Sequence, residues 1–164
     1  MLQKKIKKTL FLFVIFVIDI SAQQQDFYAF VDTLISDEIP KITVNELLEK
    51  KEFILLDVRS KAEFEISHIE DAIWVSEKNW SLIKLKKLLY KQNIIVYCSV
   101  GFRSEKLARK LIKQGYSPVY NLYGGVFEWV NQGNPLQNTN GTTDRIHAFD
   151  KSFAKWIKNG NVFY

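Results

Sequence analysis

Cysteine, histidine and proline are scarce in this chain of 164 residues, which contains one Cys, two His and three Pro. The single cysteine, Cys98, excludes an intrachain disulfide framework and a zinc site built from several thiolates. The two histidines, His68 and His147, lie far apart in the sequence, which argues against a histidine-rich metal centre. We therefore expect neither a metal ion nor a cofactor.

A low-complexity composition and a strong charge of one sign are also missing. With 47% hydrophobic residues and only seven Gly, the chain is neither disordered nor collagen-like, and its length suits one domain. The net charge is +5, but residues 1–22 hold four lysines and one aspartate, which leaves 19 Lys and Arg against 17 Asp and Glu in the remainder. A nearly balanced domain lacks the electrostatic footprint of nucleic-acid binding, so we expect no nucleic-acid partner.

The amino end has the pattern of a secretory signal peptide over residues 1–22. Its first eight residues include four lysines, and residues 10–18 are all apolar. Ser21 and Ala22 are small residues at the position where cleavage would fall. A retained membrane anchor is the alternative, but Asp19 interrupts the apolar run, and a spanning helix needs about 20 apolar residues. We expect cleavage near Ala22 and an exported protein, periplasmic or secreted, that meets the membrane only through this segment.

Short apolar runs alternate with amphipathic stretches along the rest of the chain. The runs are typical of strands buried on both faces, and they lie at residues 53–58, 72–75, 94–97 and 119–122. Apolar periodicity and two capping boxes predict helices at residues 27–35, 43–51, 60–66, 82–89, 107–115, 127–130 and 150–158. Residues 131–143 are rich in Asn, Gly and Thr and predict a loop or linker. The alternation predicts an α/β fold with a mainly parallel sheet.

Cys98 stands where the predicted strand 94–97 passes into a helix. Ligands of open parallel sheets bind beyond the carboxyl ends of the strands. Successive N–H groups in such a turn, together with the positive end of the helix, favour an ionised thiolate. Gly101 lets the backbone approach a ligand, and Arg103 offers a forked donor for an oxyanion. We expect a nucleophile that attacks sulfur or phosphorus without a general base; the alternative is a small buried side chain.

Two further strand ends are expected at the same edge of the sheet. Asp57 and Arg59 close one strand, and Gly124 with Gly125 follows another. Paired glycines leave room for a neighbouring loop or a ligand. Asp57 is expected to act on the site indirectly, without contacting the substrate. It would orient Arg59 or Arg103, or cap the next helix.

Four sequence blocks follow one another in a characteristic order. They are LLDVR at residues 55–59, EFEISHI at 63–69, YCSVGFR at 97–103 and LYGGVFEW at 122–129. With these blocks the chain resembles the rhodanese superfamily, specifically its single-domain members, from about residue 42 to residue 132. The resemblance implies a five-stranded, mainly parallel sheet flanked by helices, with the cysteine loop as the active site. We therefore expect a domain of this kind over residues 42–133. Outside the resemblance, we expect a helical extension at 23–41 and a linker and helix at 134–164 that pack on the domain.

The resemblance also implies an activity and a set of site residues. Cys98 would accept sulfane sulfur as a persulfide from a small sulfur-containing anion, thiosulfate or a related donor, and pass it to a small thiol, a protein thiol or cyanide. The loop around the bound sulfur would consist of Ser99, Val100, Gly101, Phe102 and Arg103.

The chain departs from the family at one turn, and other functions stay open. Ser67 and Asp71 replace two glycines that usually shape this turn, and His68 between them is expected to make structural hydrogen bonds. Four residues separate Cys98 from Arg103, whereas phosphatase loops place five there, which makes a phosphatase or an arsenate reductase the weaker alternative. A non-catalytic binding or sensing module is the alternative from a different class.

Overall fold

The computed structural model describes residues 23–75 and 92–164. Five parallel strands form the main sheet in the order β1-β5-β4-β2-β3. The strands are β1 Lys41–Ile42, β2 Phe53–Asp57, β3 Ile73–Trp74, β4 Asn93–Tyr97 and β5 Val119–Leu122. The predicted fold class, a five-stranded parallel α/β sheet flanked by helices, is confirmed, and the four apolar runs all form strands.

Five α-helices accompany this sheet within the described residues: α1 at 23–32, α2 Val44–Glu49, α3 Lys61–Ile66, α4 Phe102–Lys113 and α5 Gly125–Asn131. Both predicted capping boxes are present, with Thr43 starting α2 and Ser60 starting α3. Between residues 23 and 75 and between 92 and 164, no helix is long and apolar enough to cross a bilayer. The predicted signal segment and the predicted helix at 82–89 lie outside the described residues.

Alternate residues of the central strands enter two separate hydrophobic clusters. Leu55 and Ile95 belong to one cluster, and their neighbours Leu56 and Val96 belong to the other. All four side chains are almost completely buried. Because both faces of the sheet are covered, β2 and β4 consist of continuous apolar residues rather than an alternating pattern.

The expectation of a linker at residues 131–143 is wrong. Leu136–Asn138 (β6) and Gly141–Thr143 (β7) form an antiparallel hairpin, and the His68 N–H donates to the Gln137 carbonyl at 2.8 Å. Arg145–His147 (β8) then pairs in parallel with Asn161–Phe163 (β9). The helix expected at 150–158 is a 3-10 helix, Lys151–Trp156. These three-residue strands were missed because backbone pairing, and not an apolar pattern, defines them.

Candidate active site

Cys98 lies at the carboxyl end of β4, between the ends of β2 and β5. Only 1% of the residue is exposed, but it lines a cavity of about 280 Å³, so Cys98 is a cavity residue as well as a buried one. The lining residues come from three parts of the chain: Leu34, Cys98, Ser99, Val100, Phe102, Arg103, Phe149 and Phe153. The expected convergence of strand ends is present in the backbone, where the Val58 N–H donates to the Tyr97 carbonyl at 3.0 Å and the Val126 N–H donates to the Cys98 carbonyl at 2.9 Å.

The loop after Cys98 bends back onto the sulfur. The Gly101 N–H donates to the Cys98 Sγ at 3.2 Å, and within the described chain no other loop residue donates an N–H to this atom. Gly101 adopts a φ of 114° as the N-cap of α4, a backbone region that favours glycine. Asn121 on β5 fixes the turn, because its Nδ2 donates to the Gly101 carbonyl at 3.0 Å and its Oδ1 accepts from Ser104 at 2.7 Å.

The second glycine of the pair after β5 allows two loops to touch. A Cβ atom on Gly125 would lie 2.4 Å from the Cys98 carbonyl oxygen and 2.6 Å from that of Ser99. In place of a side chain, the backbone N–H groups of Val126 and Phe127 donate to these two carbonyls at 2.9 and 3.1 Å. The cysteine loop is therefore held against the first turn of α5, as the paired glycines predicted.

Arg103 does not offer a free fork to an anion, which corrects the role expected for it. Its Nη1 and Nη2 donate to Glu63 on α3 at 2.8 and 2.6 Å, and Nη2 also donates to the Ser99 hydroxyl at 2.9 Å. Arg103 lines the cavity, but its charge is neutralised by a carboxylate that is 2% exposed. This ion pair joins α3 to the start of α4 and makes the cavity nearly neutral.

The electrostatics of Glu63 reflect that pairing. Burial on its own would raise the pKa of the carboxyl group, but hydrogen bonds and the positive charge from Arg103, together with the Ser60 N–H, lower the pKa to about 2. The pKa of the Arg103 guanidinium is raised: burial disfavours its charge, but Glu63 outweighs this effect. Both groups are therefore ionised at neutral pH.

Asp57 and Arg59 form a second, fully buried ion pair behind the site. Arg59 donates through Nε and Nη2 to the Asp57 carboxylate at 2.7 to 3.1 Å, and Nη2 also donates to the Ser67 carbonyl at 2.6 Å. Both side chains have 0% exposure. Of the three roles considered for Asp57, the orientation of Arg59 is confirmed. The other two are wrong, because Arg103 binds Glu63 and because Ser60 caps α3. Asp57 and Arg59 do not line the cavity.

The turn that lacks the usual glycines keeps a compact geometry. Asp71 takes a φ of 59°, the left-handed region that aspartate tolerates better than most residues, and Ser67 is extended. The His68 ring stacks on Phe64 with centroids 3.9 Å apart, and its Nδ1 lies 2.9 Å from the Phe64 carbonyl. The structural role predicted for His68 is confirmed.

Several site residues escaped the sequence analysis. Glu63 was recognised as the glutamate of the capping box that begins at Ser60, but not as the partner of Arg103, because the two lie 40 positions apart in the sequence. Leu34, Phe149 and Phe153 come from segments with no motif, and no sequence signal connects them with Cys98. Asn121 lies within the run that predicted β5. A polar residue inside this strand was the only sequence signal of its role.

Comparisons with known proteins agree with this geometry. Residues 42–132 match the rhodanese-like domain family. A rhodanese-related protein from Thermoplasma volcanium superposes with a TM-score of 0.51 at 26% identity and covers 59% of this chain and 96% of that one. Thiosulfate sulfurtransferase from Pseudomonas aeruginosa has a TM-score of 0.58 at 24% identity, covering 80% of this chain and 26% of that one; this likeness concerns the fold.

Curated relatives match this chain over only part of their own length. The tRNA uridine(34) hydroxylase of Wigglesworthia glossinidia brevipalpis is 37% identical over 99 residues, which are 56% of this chain and 31% of that protein. The corresponding protein of Photorhabdus laumondii is 30% identical over 103 residues, 57% of this chain and 29% of its own length. The chain thus spans about a third of these relatives. By its family match, its sheet and its cysteine loop, this chain belongs to the rhodanese-like domain family.

Proposed function

We propose that this protein is a sulfurtransferase that carries sulfane sulfur as a persulfide on Cys98. The observation that carries the proposal is the position of Cys98, which lines the cavity and whose Sγ accepts the Gly101 N–H at 3.2 Å. The amino end of the twelve-residue helix α4 begins one residue after this glycine. The N–H group and the helix dipole both favour negative charge on the sulfur, before and after it takes up a second sulfur atom.

The reaction needs a nucleophile and a place for its product. The Cys98 thiolate attacks the outer sulfur of the donor, the donor's bond to that sulfur breaks, and its electron pair leaves with sulfite or an organic sulfinate or thiolate. An acceptor thiolate or cyanide then attacks the outer persulfide sulfur, and the electron pair returns to Cys98. No net oxidation takes place, and a thiolate nucleophile needs no general base.

Phosphatase or arsenate reductase chemistry fits the site less well. Such a reaction needs donors aimed at the oxygens where negative charge develops. Arg103, which would have to supply them, is held by Glu63 at 2.6 and 2.8 Å. A carboxylate at this position would also repel a phosphoryl or arsenyl group.

The names of the curated relatives do not extend directly to this chain, since the match covers 31% of the first of them. The charge of the residues that line the cavity also argues against a tRNA substrate. Contacts to a nucleic acid depend on cations that bind phosphates, whereas Arg103 is the one cation that residues 23–75 and 92–164 contribute to the cavity lining, and it is already paired with Glu63. We therefore place the proposed transfer on small sulfur compounds.

The persulfide is tested directly by mass spectrometry. The protein, reduced and freed of excess thiol, is incubated with a sulfane donor, and we expect a mass gain of one sulfur atom on Cys98 that disappears when cyanide or a small thiol is added. Cys98→Ser should show no gain, while its circular dichroism stays that of the wild type. If the wild type takes up no sulfur from any donor, the proposal is wrong and a binding module becomes the better explanation. If Cys98→Ser supports turnover equal to that of the wild type, the proposed role of Cys98 is wrong.

We further propose that residues 1–22 direct export, and that an external thiol discharges the persulfide because the chain has no second cysteine. Amino-terminal sequencing of the protein from its native host tests the first part, with a start at Gln23 as the expected result. A mature protein that still begins at Met1 would refute cleavage.

A further inference from the structure

One wall of the cavity comes from outside the part of the chain that matches the family. The matched residues are 42–132, whereas Leu34, Phe149 and Phe153, which line the cavity together with the cysteine loop, lie outside this range. Leu34 follows α1, and the two phenylalanines belong to the carboxyl-terminal segment. The matched domain supplies the nucleophile, and the two extensions supply this apolar wall.

The extensions form a packed unit. Phe30 on α1 stacks on Trp156 with centroids 4.7 Å apart and planes inclined by 16°, and Phe30 also meets Phe153 edge to face at 5.6 Å. Asn131 at the end of α5 binds this segment twice: its Nδ2 donates to the Trp156 carbonyl at 2.8 Å, and its Oδ1 accepts the Lys158 N–H at 2.7 Å. The apolar wall is therefore positioned by side-chain packing and by hydrogen bonds to the domain.

Phe149 has an unusual backbone for a bulky residue. Its φ is 67°, and its N–H donates to the His147 Nδ1 at 2.9 Å. Its ring lies 4.7 Å from the Arg103 guanidinium and meets Phe153 edge to face at 5.5 Å. A large side chain in this left-handed region is an outlier that the surrounding structure must hold in place. The ring is nevertheless 49% exposed, so it stands at the rim of the cavity and has room for a ligand beside it.

The charge of the cavity separates possible donors. Among the residues that the structure describes, the lining includes one cation, Arg103, which is paired with Glu63. The other described lining residues are Leu34, Val100, three phenylalanines, Cys98 and Ser99. A dianion that entered would lose water without gaining an unpaired positive partner. An apolar group would instead gain contacts with the rings. A volume of about 280 Å³ also exceeds by far what a single sulfur atom requires.

From this geometry we infer that the preferred sulfur donor carries an apolar organic group, which binds between Phe149, Phe153 and Leu34 while its sulfane sulfur meets Cys98. The inference rests on the proposed sulfurtransferase function and defines its substrate class. For an organic thiosulfonate, the Cys98 thiolate bonds to the outer sulfur, the bond between the two donor sulfurs breaks, and the organic sulfinate leaves with the electron pair. Charge is conserved, since two monoanions give a persulfide anion and a sulfinate anion.

Three donors with the same reacting sulfur test this assignment. Thiosulfate is a small dianion, methanethiosulfonate a small monoanion and benzenethiosulfonate a monoanion with an aromatic group. Cyanide serves as acceptor, thiocyanate formation gives kcat/KM, and each value is divided by the donor's rate with free glutathione to remove intrinsic reactivity. We expect benzenethiosulfonate to exceed methanethiosulfonate at least tenfold, the low end of what one methylene contributes in a hydrophobic pocket, and thiosulfate to be the poorest donor.

The Phe149→Gly variant removes the ring and suits the positive φ, so that the fold is not strained by the change. It should lower the benzene-to-methane ratio at least fivefold. Phe149→Leu should restore part of the preference. Tyr164→Ala, which removes an exposed ring of the same segment that does not line the cavity, should leave all three rates unchanged.

The outcomes separate this inference from the proposed function. Equal normalised rates for the three donors, or a ratio unaffected by Phe149→Gly, would overturn the assignment of an apolar donor while sulfur transfer itself stands. Failure of all three donors to yield thiocyanate or a Cys98 persulfide would overturn the proposed function and this inference together.

Discussion

Replacing Glu63 with glutamine tests the ion pair that neutralises the cavity. Glutamine has nearly the same shape but no charge, so Arg103 loses its partner in a site where its own side chain is 20% exposed. The pKa of Glu63 falls from 4.5 to about 2 on folding. This difference corresponds to about 3 kcal/mol of stability at pH 7, at about 1.4 kcal/mol for each tenfold change in proton affinity.

The pH dependence follows from the direction of this change. A carboxyl group with a lowered pKa in the folded state stabilises the protein above its unfolded pKa, and the contribution is lost as the pH falls towards the folded value. Urea unfolding at several pH values should therefore show wild type exceeding Glu63→Gln by about 3 kcal/mol from pH 6 to pH 7. The difference should narrow to about 1.4 kcal/mol at pH 3.

A neighbouring glutamate on the same helix provides the matched control. Glu65 is 60% exposed and its partner Lys61 is 67% exposed, so Glu65→Gln should change the unfolding free energy by less than about 0.5 kcal/mol. Two results would refute the reasoning: a Glu63→Gln variant as stable as wild type at pH 7, or a stability difference that stays constant between pH 3 and pH 7.

Two further predictions concern the packing around the cysteine loop. Gly125→Ala should destabilise the protein by about 2 kcal/mol more than Gly133→Ala, because both alanines adopt a positive φ but only the Cβ at 125 meets the backbone of Cys98; equal urea midpoints would contradict this. Gly125→Ala should also slow persulfide formation, as measured by mass spectrometry. Tyr97→Phe removes the hydroxyl that accepts the buried Ile69 N–H at 3.1 Å and should cost about 1–3 kcal/mol in urea unfolding; an unchanged unfolding free energy would show that this N–H finds another partner.

The main sheet was predictable because its strands and helices are defined by neighbouring residues. Four apolar runs became β2 to β5, and the capping boxes at Thr43 and Ser60 started helices where they were expected. The two-residue strand β1 and the three-residue strands β6 to β9 are too short to show such a pattern. They exist because their backbones pair with distant segments, and these pairings depend on the fold as a whole.

The position of the site was also predictable, since parallel strands bring Asp57, Cys98 and Gly125 to one edge of the sheet. The interaction partner of each side chain was harder to predict. Arg103 was expected to bind an anion, but Glu63 occupies its guanidinium. The sequence shows that an arginine can bind any nearby anionic group. Only tertiary packing decides which anionic group lies within reach.

The amino-acid sequence by itself determined the strand and helix pattern, the cysteine at a strand end and the glycines that admit a second loop. These are properties of adjacent residues, and each follows from hydrophobic periodicity or from backbone sterics. Only the tertiary structure decided that Phe149 and Phe153 face Cys98 and that Glu63 cancels the charge of Arg103. The reason is that residues far apart in the chain acquire a common environment only when the extensions pack against the domain, and this environment sets the charge and the shape of the cavity.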